Sequence, residues 1–306
     1  MDINFELYKV FYCVAKTLSF SEAAKELFIS QSAVSQSVKL LEKRLGQALF
    51  VRSTKKVRLT TEGEILLRHI EPAIQLIHRG EKQILESGSL NAGQIRIGAS
   101  DTICRYFLVP YLNEFHKKHP NVMIKVTNGT SFQCVDLLEN NQVDFIIVNS
   151  PNVKLNRIKN IEVIHEFSDV FIASKKAFPD LKPSLTLEEL QRYPILMLEK
   201  NSTTSEFLYN LFLQHQLELV PSVELSSNDL LIDLARIGLG IAFVPDFCIN
   251  GREEDLSVLS TSANLPKRKL VVASADHVPL STAVKAFIHT LKGEGSEYPE
   301  PEEVKL

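Results

Sequence analysis

The sequence predicts an α/β fold in two parts, and three observations carry the prediction. Residues 4 to 87 hold apolar side chains at the spacing of amphipathic helices, broken once by a short hairpin signal. From Gln94 onward strands alternate with helices, the pattern of a parallel sheet covered by helices. The charge changes too: of an overall −3, residues 1–60 carry ten Lys or Arg against five Asp or Glu, leaving −8 for the remainder. A chain of 306 residues, 44% hydrophobic, is long enough for two or three cored domains. Its basic end is the natural place for nucleic acid.

Several classes fall away early. No run approaches the roughly 20 apolar residues that span a bilayer. Met1 is followed by Asp2 and a patterned helix, where a signal peptide needs a basic and then apolar start, so a cytoplasmic protein with no membrane contact is expected. Cys13, Cys104, Cys134 and Cys248 are scattered without a CxxC, which speaks against zinc and against a disulfide framework. The eight histidines show no HExxH spacing, and no GxSxG elbow gives a nucleophile its geometry, so neither a metal site nor a catalytic site is predicted.

Taken in order, residues 4–17 place Leu7, Val10, Phe11, Val14 and Ala15 on one stripe, a first helix. Ser19-Phe20-Ser21-Glu22 reads as a capping box opening a second helix through Ala23, Ala24 and Leu27. A turn at Phe28-Ile29 leads to a third. There Ser30 is an N-cap, Gly46 a C′ residue, and Ala33, Val34, Val38, Leu41 and Leu45 form the apolar side. Two short helices joined by a few residues make a helix-turn-helix, whose second helix enters the major groove by its leading end. That end carries Gln31, Ser32, Ser35, Gln36 and Lys39 where a merely solvated face would carry Glu and Lys. Gln offers a donor and an acceptor in one plane, matching adenine N6 and N7, and Ser can give or take a bond. Taken alone, such a helix is equally an ordinary polar face; its neighbours favour double-stranded DNA.

Ala48 to Val51 and Val57 to Leu59 flank a basic turn and predict a hairpin wing. Arg52, Lys55, Lys56 and Arg58 can reach phosphates there, with Lys39 on the helix, unless the turn is simply solvated. Thr61-Glu62-Gly63-Glu64 begins a capped helix with a seam of Ile65, Leu66, Ile70, Ile74, Ile77, Ile84 and Leu85. Pro72 should kink or interrupt it, and Ser87 to Gly93 reads as a hinge.

The second part begins with a strand at Gln94 to Ala99, a helix at Phe107 to Lys118, a strand at Val122 to Thr127, a helix at Phe132 to Asn140 and a strand at Val143 to Val148. A second unit follows between about Ile164 and Leu265, with strands at Val170 to Ser174, Ile195 to Leu198 and Ile241 to Val244. Its helices are Leu187 to Gln191, Ser205 to Gln216 and Asp229 to Ile237. The chain then returns through a strand at Leu270 to Ala275 and a helix at Ser281 to Leu291. One segment leaving the first lobe and another coming back imply two lobes with a cleft, a periplasmic-binding-protein-like domain. The domains expected are therefore 1–60, the linker and hinge 61–92, and 93–292. Lobe one of the last takes 93–163 and 266–292, and lobe two 164–265. An acidic, disordered tail covers 293–306.

Leu18-Ser19-Phe20, Ala23-Ala24, Leu27, Ser30-Gln31, Ala33-Val34-Ser35, Leu41-Glu42, Leu45-Gly46, Leu49-Phe50, Arg52, Leu59-Thr60 and Gly63 together resemble the winged helix-turn-helix signature of LysR-type transcriptional regulators. The likeness extends to the second part through Phe115 with His119-Pro120, the run Val143 to Ile147, and Ile237 to Pro245. Ser32 departs from the pattern, which has proline at that point of the first turn. The resemblance implies base readout by Gln31, Ser32, Ser35 and Gln36, with Arg52 and Lys55 on the wing. It also implies a linker helix paired with that of a second subunit in a homodimer or homotetramer, and RNA polymerase as a further partner. The other course for the linker is packing on its own winged domain.

The resemblance places a small-molecule effector, rather than a fixed cofactor, between the lobes. Ligands in open α/β sheets lie beyond the strands' carboxyl ends. Those ends carry Ser100, Asp101 and Thr102, then Thr130 and Ser131 after Gly129, then Asn149; Thr203 and Thr204 open a helix in the other lobe. Each Ser or Thr is equally a helix cap. Asp101 would repel a carboxylate. Cys104 and Cys134 follow these loops, as thiol sensors or as small buried residues. Two other functions fit the second part alone: a solute-binding protein, which has no use for the first 90 residues, and an enzyme, which needs titratable groups facing each other across the cleft.

Overall fold

The computed structural model describes residues 3–52, 57–86, 93–251, 254–276 and 278–292. The chain forms two compact units, Met1–Ser87 and Gly88–Leu306.

In the first unit, α1 (Phe5–Thr17), α2 (Phe20–Glu26) and α3 (Gln31–Leu45) enclose Val10, Phe11, Val14, Ala23, Val34, Val38 and Leu41. Side-chain caps start each helix: Asn4, Ser19 and Ser30 accept from the backbone N–H groups of Glu6, Glu22 and Ala33. Only half of the expected capping box forms at Ser19, because the Glu22 carboxylate takes the Lys25 ammonium at 2.8 Å instead of reaching back. Gly46 ends α3 at φ 71°, a backbone angle that an L side chain adopts only with strain. The wing is the antiparallel pair β1 (Phe50–Arg52) and β2 (Val57–Leu59), with Phe50 opposite Leu59.

The long helix α4 (Thr61–Glu86) is capped by Thr60, whose hydroxyl accepts from Gly63 N–H at 3.0 Å and donates to the Ala48 carbonyl at 2.7 Å. Gly63 has a spatial reason: a Cβ there would sit 2.2 Å from the Leu49 carbonyl oxygen. The helix runs on through Pro72 without the interruption the sequence suggested. Proline removes a single i→i−4 bond, and the amphipathic turns on both sides keep theirs. The seam is divided: Leu66 and Leu67 pack on the winged core, while Ile77 and Ile84 are exposed. The stretch 87–92, expected as a hinge, and the tail 293–306 lie outside the described residues.

The second unit begins with β3 (Gly93–Ala99). One continuous helical run follows: α5 (Asp101–Ile103), a π-helical turn at Cys104–Leu108, and α6 (Val109–Lys118). The sequence placed the start of this helix at Phe107. The earlier start is set by Ser100, which caps Ile103, and the π turn shifts the apolar phase that would have shown it. Next come β4 (Val122–Asn128), α7 (Ser131–Glu139), β5 (Phe145–Ser150) and β6 (Asn160–Phe167). In lobe two lie β7 (Asp169–Ser174), β8 (Ser184–Leu185), α8 (Leu187–Leu190), β9 (Ile195–Leu198), α9 (Thr203–Gln214), β10 (Val223–Leu225), α10 (Asn228–Arg236), β11 (Ile241–Pro245) and β12 (Leu256–Thr261). The chain returns through β13 (Arg268–Ser274) and ends in α11 (Thr282–Leu291).

Lobe one is a five-stranded sheet of order β4-β3-β5-β13-β6, with β3 parallel to β4 and β5 and with β13 antiparallel to its neighbours. Lobe two holds a six-stranded sheet, β10-β9-β11-β7-β12-β8. Phe115, Phe145 and Phe287 centre the first core, and Phe171, Phe212 and Phe243 the second. Strand β6 was not foreseen: its polar residues Asn160, Glu162, His165 and Glu166 are those of an exposed edge. It pairs with β13 as far as Phe167 opposite Arg268, so residues 164–167 stay with the lobe-one sheet and the chain crosses at Ser168 rather than before Ile164.

Candidate functional site

The residues assigned to DNA stand on two elements of the first unit. Gln31, Ser32, Gln36 and Lys39 are exposed on α3, and Ser35 is half-buried, while Val34 and Val38 on the opposite side are fully enclosed. Among the described residues the amides of Gln31 and Gln36 have no side-chain partner. Ser32 takes the place of proline without disturbing the helix start: its hydroxyl lies 2.8 Å from that of Ser30, which caps the Ala33 N–H. On the wing Arg58 is exposed in β2, and Arg52 ends β1 opposite Val57. Lys55 and Lys56 lie outside the described residues.

In the second unit the strand ends and helix starts enclose a cavity of about 300 Å³ between the lobes. All eight residues singled out from the sequence line it: Ser100, Asp101, Thr102, Thr130, Ser131 and Asn149 from lobe one, Thr203 and Thr204 from lobe two. Four helical runs begin on its wall, capped by Ser100, Thr130, Ser202 and Ser227. Thr130 completes a capping box with Gln133. Among the described residues no Lys, Arg or His lines the cavity, and the two carboxylates on its wall, Asp101 and Glu199, are exposed. The positive ends of the helices are thus its main source of positive potential.

Most of the wall hydroxyls share one polarity; Ser202 is the exception, donating to Ser205 Oγ at 2.9 Å. Ser100, Thr130 and Ser227 each accept from the backbone N–H three residues on, Ser131 accepts from Asn149 N–H at 3.1 Å, and Thr102 accepts from Asn228 Nδ2 at 2.9 Å. A hydroxyl that accepts from the protein keeps its proton to give. Asn149 Nδ2 also reaches Thr203 Oγ1 at 3.4 Å, so amides of each lobe hold a hydroxyl of the other. Beside the cavity Arg105 meets the Asp229 carboxylate at 3.2 Å and the Tyr106 hydroxyl donates to the same oxygen.

Sequence reasoning missed Ser227, Asn228 and Phe247 on this wall. It also missed Arg268, buried behind Thr203 and Thr204. Ser227 carried a readable signal, as a cap with two residues before the apolar Leu230 and Leu231; Arg268 carried none. Burial pushes the Cys104 thiol up to about 11 and the Cys134 thiol up to about 12, which keeps both protonated near neutrality and disfavours thiolate chemistry. Among the described residues no group of three or more His, Cys, Asp or Glu could hold a metal ion, and no helix is long and apolar enough to cross a membrane.

Residues 5–64 match the family described as bacterial regulatory helix-turn-helix protein, lysR family, and residues 88–296 match the LysR substrate binding domain. The chain belongs to the LysR family. Relatives span its length: CmpR, an HTH-type transcriptional activator of Synechocystis sp., is 28% identical over 93% of each chain. The HTH-type transcriptional regulator AlsR of Bacillus subtilis is 30% identical over 91% of this chain and 92% of its own. Full-length CbnR bound to its target DNA shares the fold, with a TM-score of 0.65 at 17% identity over 95% of this chain and all of that one. The regulatory domain of Synechocystis CcmR, solved with 2-PG, is 25% identical with a TM-score of 0.59, over 66% of this chain and 96% of its own. As a LysR-type transcription regulator, the protein joins a sequence-specific DNA-binding unit to an effector-binding domain.

Proposed function

We propose that this regulator reads its operator with Gln31, Ser32, Ser35 and Gln36 and holds the flanking phosphates with Lys39, Arg52, Lys55, Lys56 and Arg58. It does so in the cytoplasm as a homodimer or homotetramer, under the control of a small, acceptor-rich effector in the interlobe cavity. One observation carries the reading: four capped helix starts and a set of hydroxyls with protons to give converge on a single cavity between the lobes. Such a wall favours an anion or another ligand rich in acceptors. The exposed Ile77 on α4 supports pairing with a second copy, since an amphipathic helix with an exposed apolar position on its seam gains from a matching one. The regulatory domain of CcmR binds 2-PG, which makes that compound the first ligand to try.

A bound effector that bridges the lobes more favourably in one arrangement shifts the population toward it, and through the subunit contacts changes how the DNA is bent. A solute carrier has no use for the winged unit, and the relatives are transcription regulators, not enzymes. Genome-wide footprinting of the purified protein tests the reading directly. Protection at discrete sites, altered by metabolites of the neighbouring genes' pathway, is expected; uniform coverage without discrete sites would sink it.

A further inference from the structure

A buried arginine stands directly behind the cavity wall without lining it. Arg268, at the first position of β13, is 1% exposed and forms a salt bridge at 2.8 Å with the equally buried Asp169, the first residue of β7. Its side chain lies between two rings, with the guanidinium carbon 5.4 Å from the centre of Phe167 and 5.3 Å from that of Phe207. These contacts hold the fork rigidly where the two crossovers between lobes meet. From there it reaches the cavity wall: Nη1 donates to Thr204 Oγ1 at 3.0 Å and Nη2 to Thr203 Oγ1 at 3.1 Å. Thr203 Oγ1 also takes the Asn149 amide, so both of its lone pairs are used. Among the described residues neither threonine hydroxyl has an acceptor for its own proton, and both side chains are buried. Guanidinium is always charged and has only donors, so the direction of these bonds cannot reverse.

We propose that Arg268 is the specificity-determining positioning residue of the cavity. By forcing Thr203 and Thr204 to be donors, it makes that wall accept a carboxylate or phosphate and reject the matching amide or amine. Asp169 cancels the charge of Arg268, and the wall carboxylates Asp101 and Glu199 are exposed, where water and salt screen their repulsion of an anion, so the discrimination comes from the direction of the hydrogen bonds rather than from net charge. A second pair of atoms completes the ligand's description. Asn149 Oδ1 and Asn228 Oδ1 are buried on the same wall without a partner, which suits a ligand that carries a hydroxyl beside its anionic group. The inference rests on the effector reading of the cavity.

The chain has no tryptophan, so Phe247→Trp on the cavity wall supplies a single fluorescent reporter in the full-length protein. The probes are lactate, succinate and inorganic phosphate, with lactamide and succinamide as the neutral partners. Because a hydrogen bond to a charged group is at stake, each acid should bind about tenfold or more tighter than its amide. Thr203→Val with Thr204→Val, which keeps shape but removes both protons, should bring the ratio to within about threefold; Thr203→Ser with Thr204→Ser should restore it. Asp169→Leu with Arg268→Met replaces the buried pair by apolar residues of similar size and should abolish the preference in a folded, DNA-binding protein. An unchanged ratio in that double variant, or amides bound as well as acids by the parent, overturns the assignment of Arg268 while leaving an effector cavity. Silence of the reporter toward the whole panel overturns the cavity reading and the inference with it.

Discussion

The two ends of this chain use the same side chains in opposite ways. On α3 the Gln and Ser groups proposed to meet DNA stand at a helix start, all exposed but the half-buried Ser35. Around the interlobe cavity the Ser and Thr groups at four helix starts are held by backbone N–H groups, by Asn149 and Asn228 and by Arg268. A surface that must test many base sequences keeps its donors and acceptors in water, where an unmatched contact costs little. A cavity that must recognise one small molecule fixes them beforehand, so that a wrong ligand leaves a buried group unsatisfied. The contrast predicts that polar substitutions will register as lost stability in the cavity and as lost specificity on α3.

The largest effect should come from Arg268→Met alone. It leaves the Asp169 carboxylate buried without its partner, and burial already pushes that carboxyl up against the pull of the guanidinium. A loss of about 3–5 kcal/mol in denaturant unfolding is expected, largely recovered in the double variant with Asp169→Leu. A loss below about 1 kcal/mol would mean that the pair is not held as described. Gln31→Ala and Ser35→Ala should instead weaken operator binding by about 1–3 kcal/mol each, with unfolding and random-sequence binding nearly unchanged. Competition titrations on operator and scrambled duplexes would show this, and equal losses on both would remove the base-reading role.

Ser30→Ala and Thr130→Ala probe what the two regions share. Each deletes an N-cap, so each should cost about 1 kcal/mol of stability despite their different surroundings. Differential scanning calorimetry would separate this from the larger loss at Arg268. The smallest effect concerns pH. Burial first, and then the Lys118 charge, lower the pKa of His119, whose ring lies 4.7 Å from Phe115. A depressed value favours the neutral folded form. Its contribution is therefore complete above the ordinary value of 6.5 and is lost as pH falls through the depressed one. His119→Asn should flatten the drop in the urea midpoint between neutral and acidic pH, and an unaltered drop would exclude His119 as its source.

The first unit was readable because its signals are local. Caps, apolar spacing and the αL glycine at Gly46 act within one or two turns, and the α3 boundaries follow from Ser30 and Gly46 alone. Readability failed where position along the chain and position in space part company. The start of the helix at Asp101 was hidden by the π turn, which breaks the period that reveals helices. Strand β6 was hidden by the polar residues an edge permits. Pro72 spoke for a kink or a break, and α4 is unbroken through it.

By itself, then, the sequence determined which unit meets DNA, which helix starts carry hydroxyls, and that two lobes alternate strands with helices, because each of these rests on neighbours a few residues apart. Only the tertiary structure decided that Ser100, Thr130, Asn149 and Thr203 share one wall, and that Arg268 stands behind it. Asp169 and Arg268 lie on two separate crossovers, 99 positions apart, and a buried ion pair leaves no periodic trace in a sequence. Their meeting depends on two sheets coming together at the crossovers, and it is that folded junction that sets Arg268 behind Thr203 and Thr204 at the start of α9.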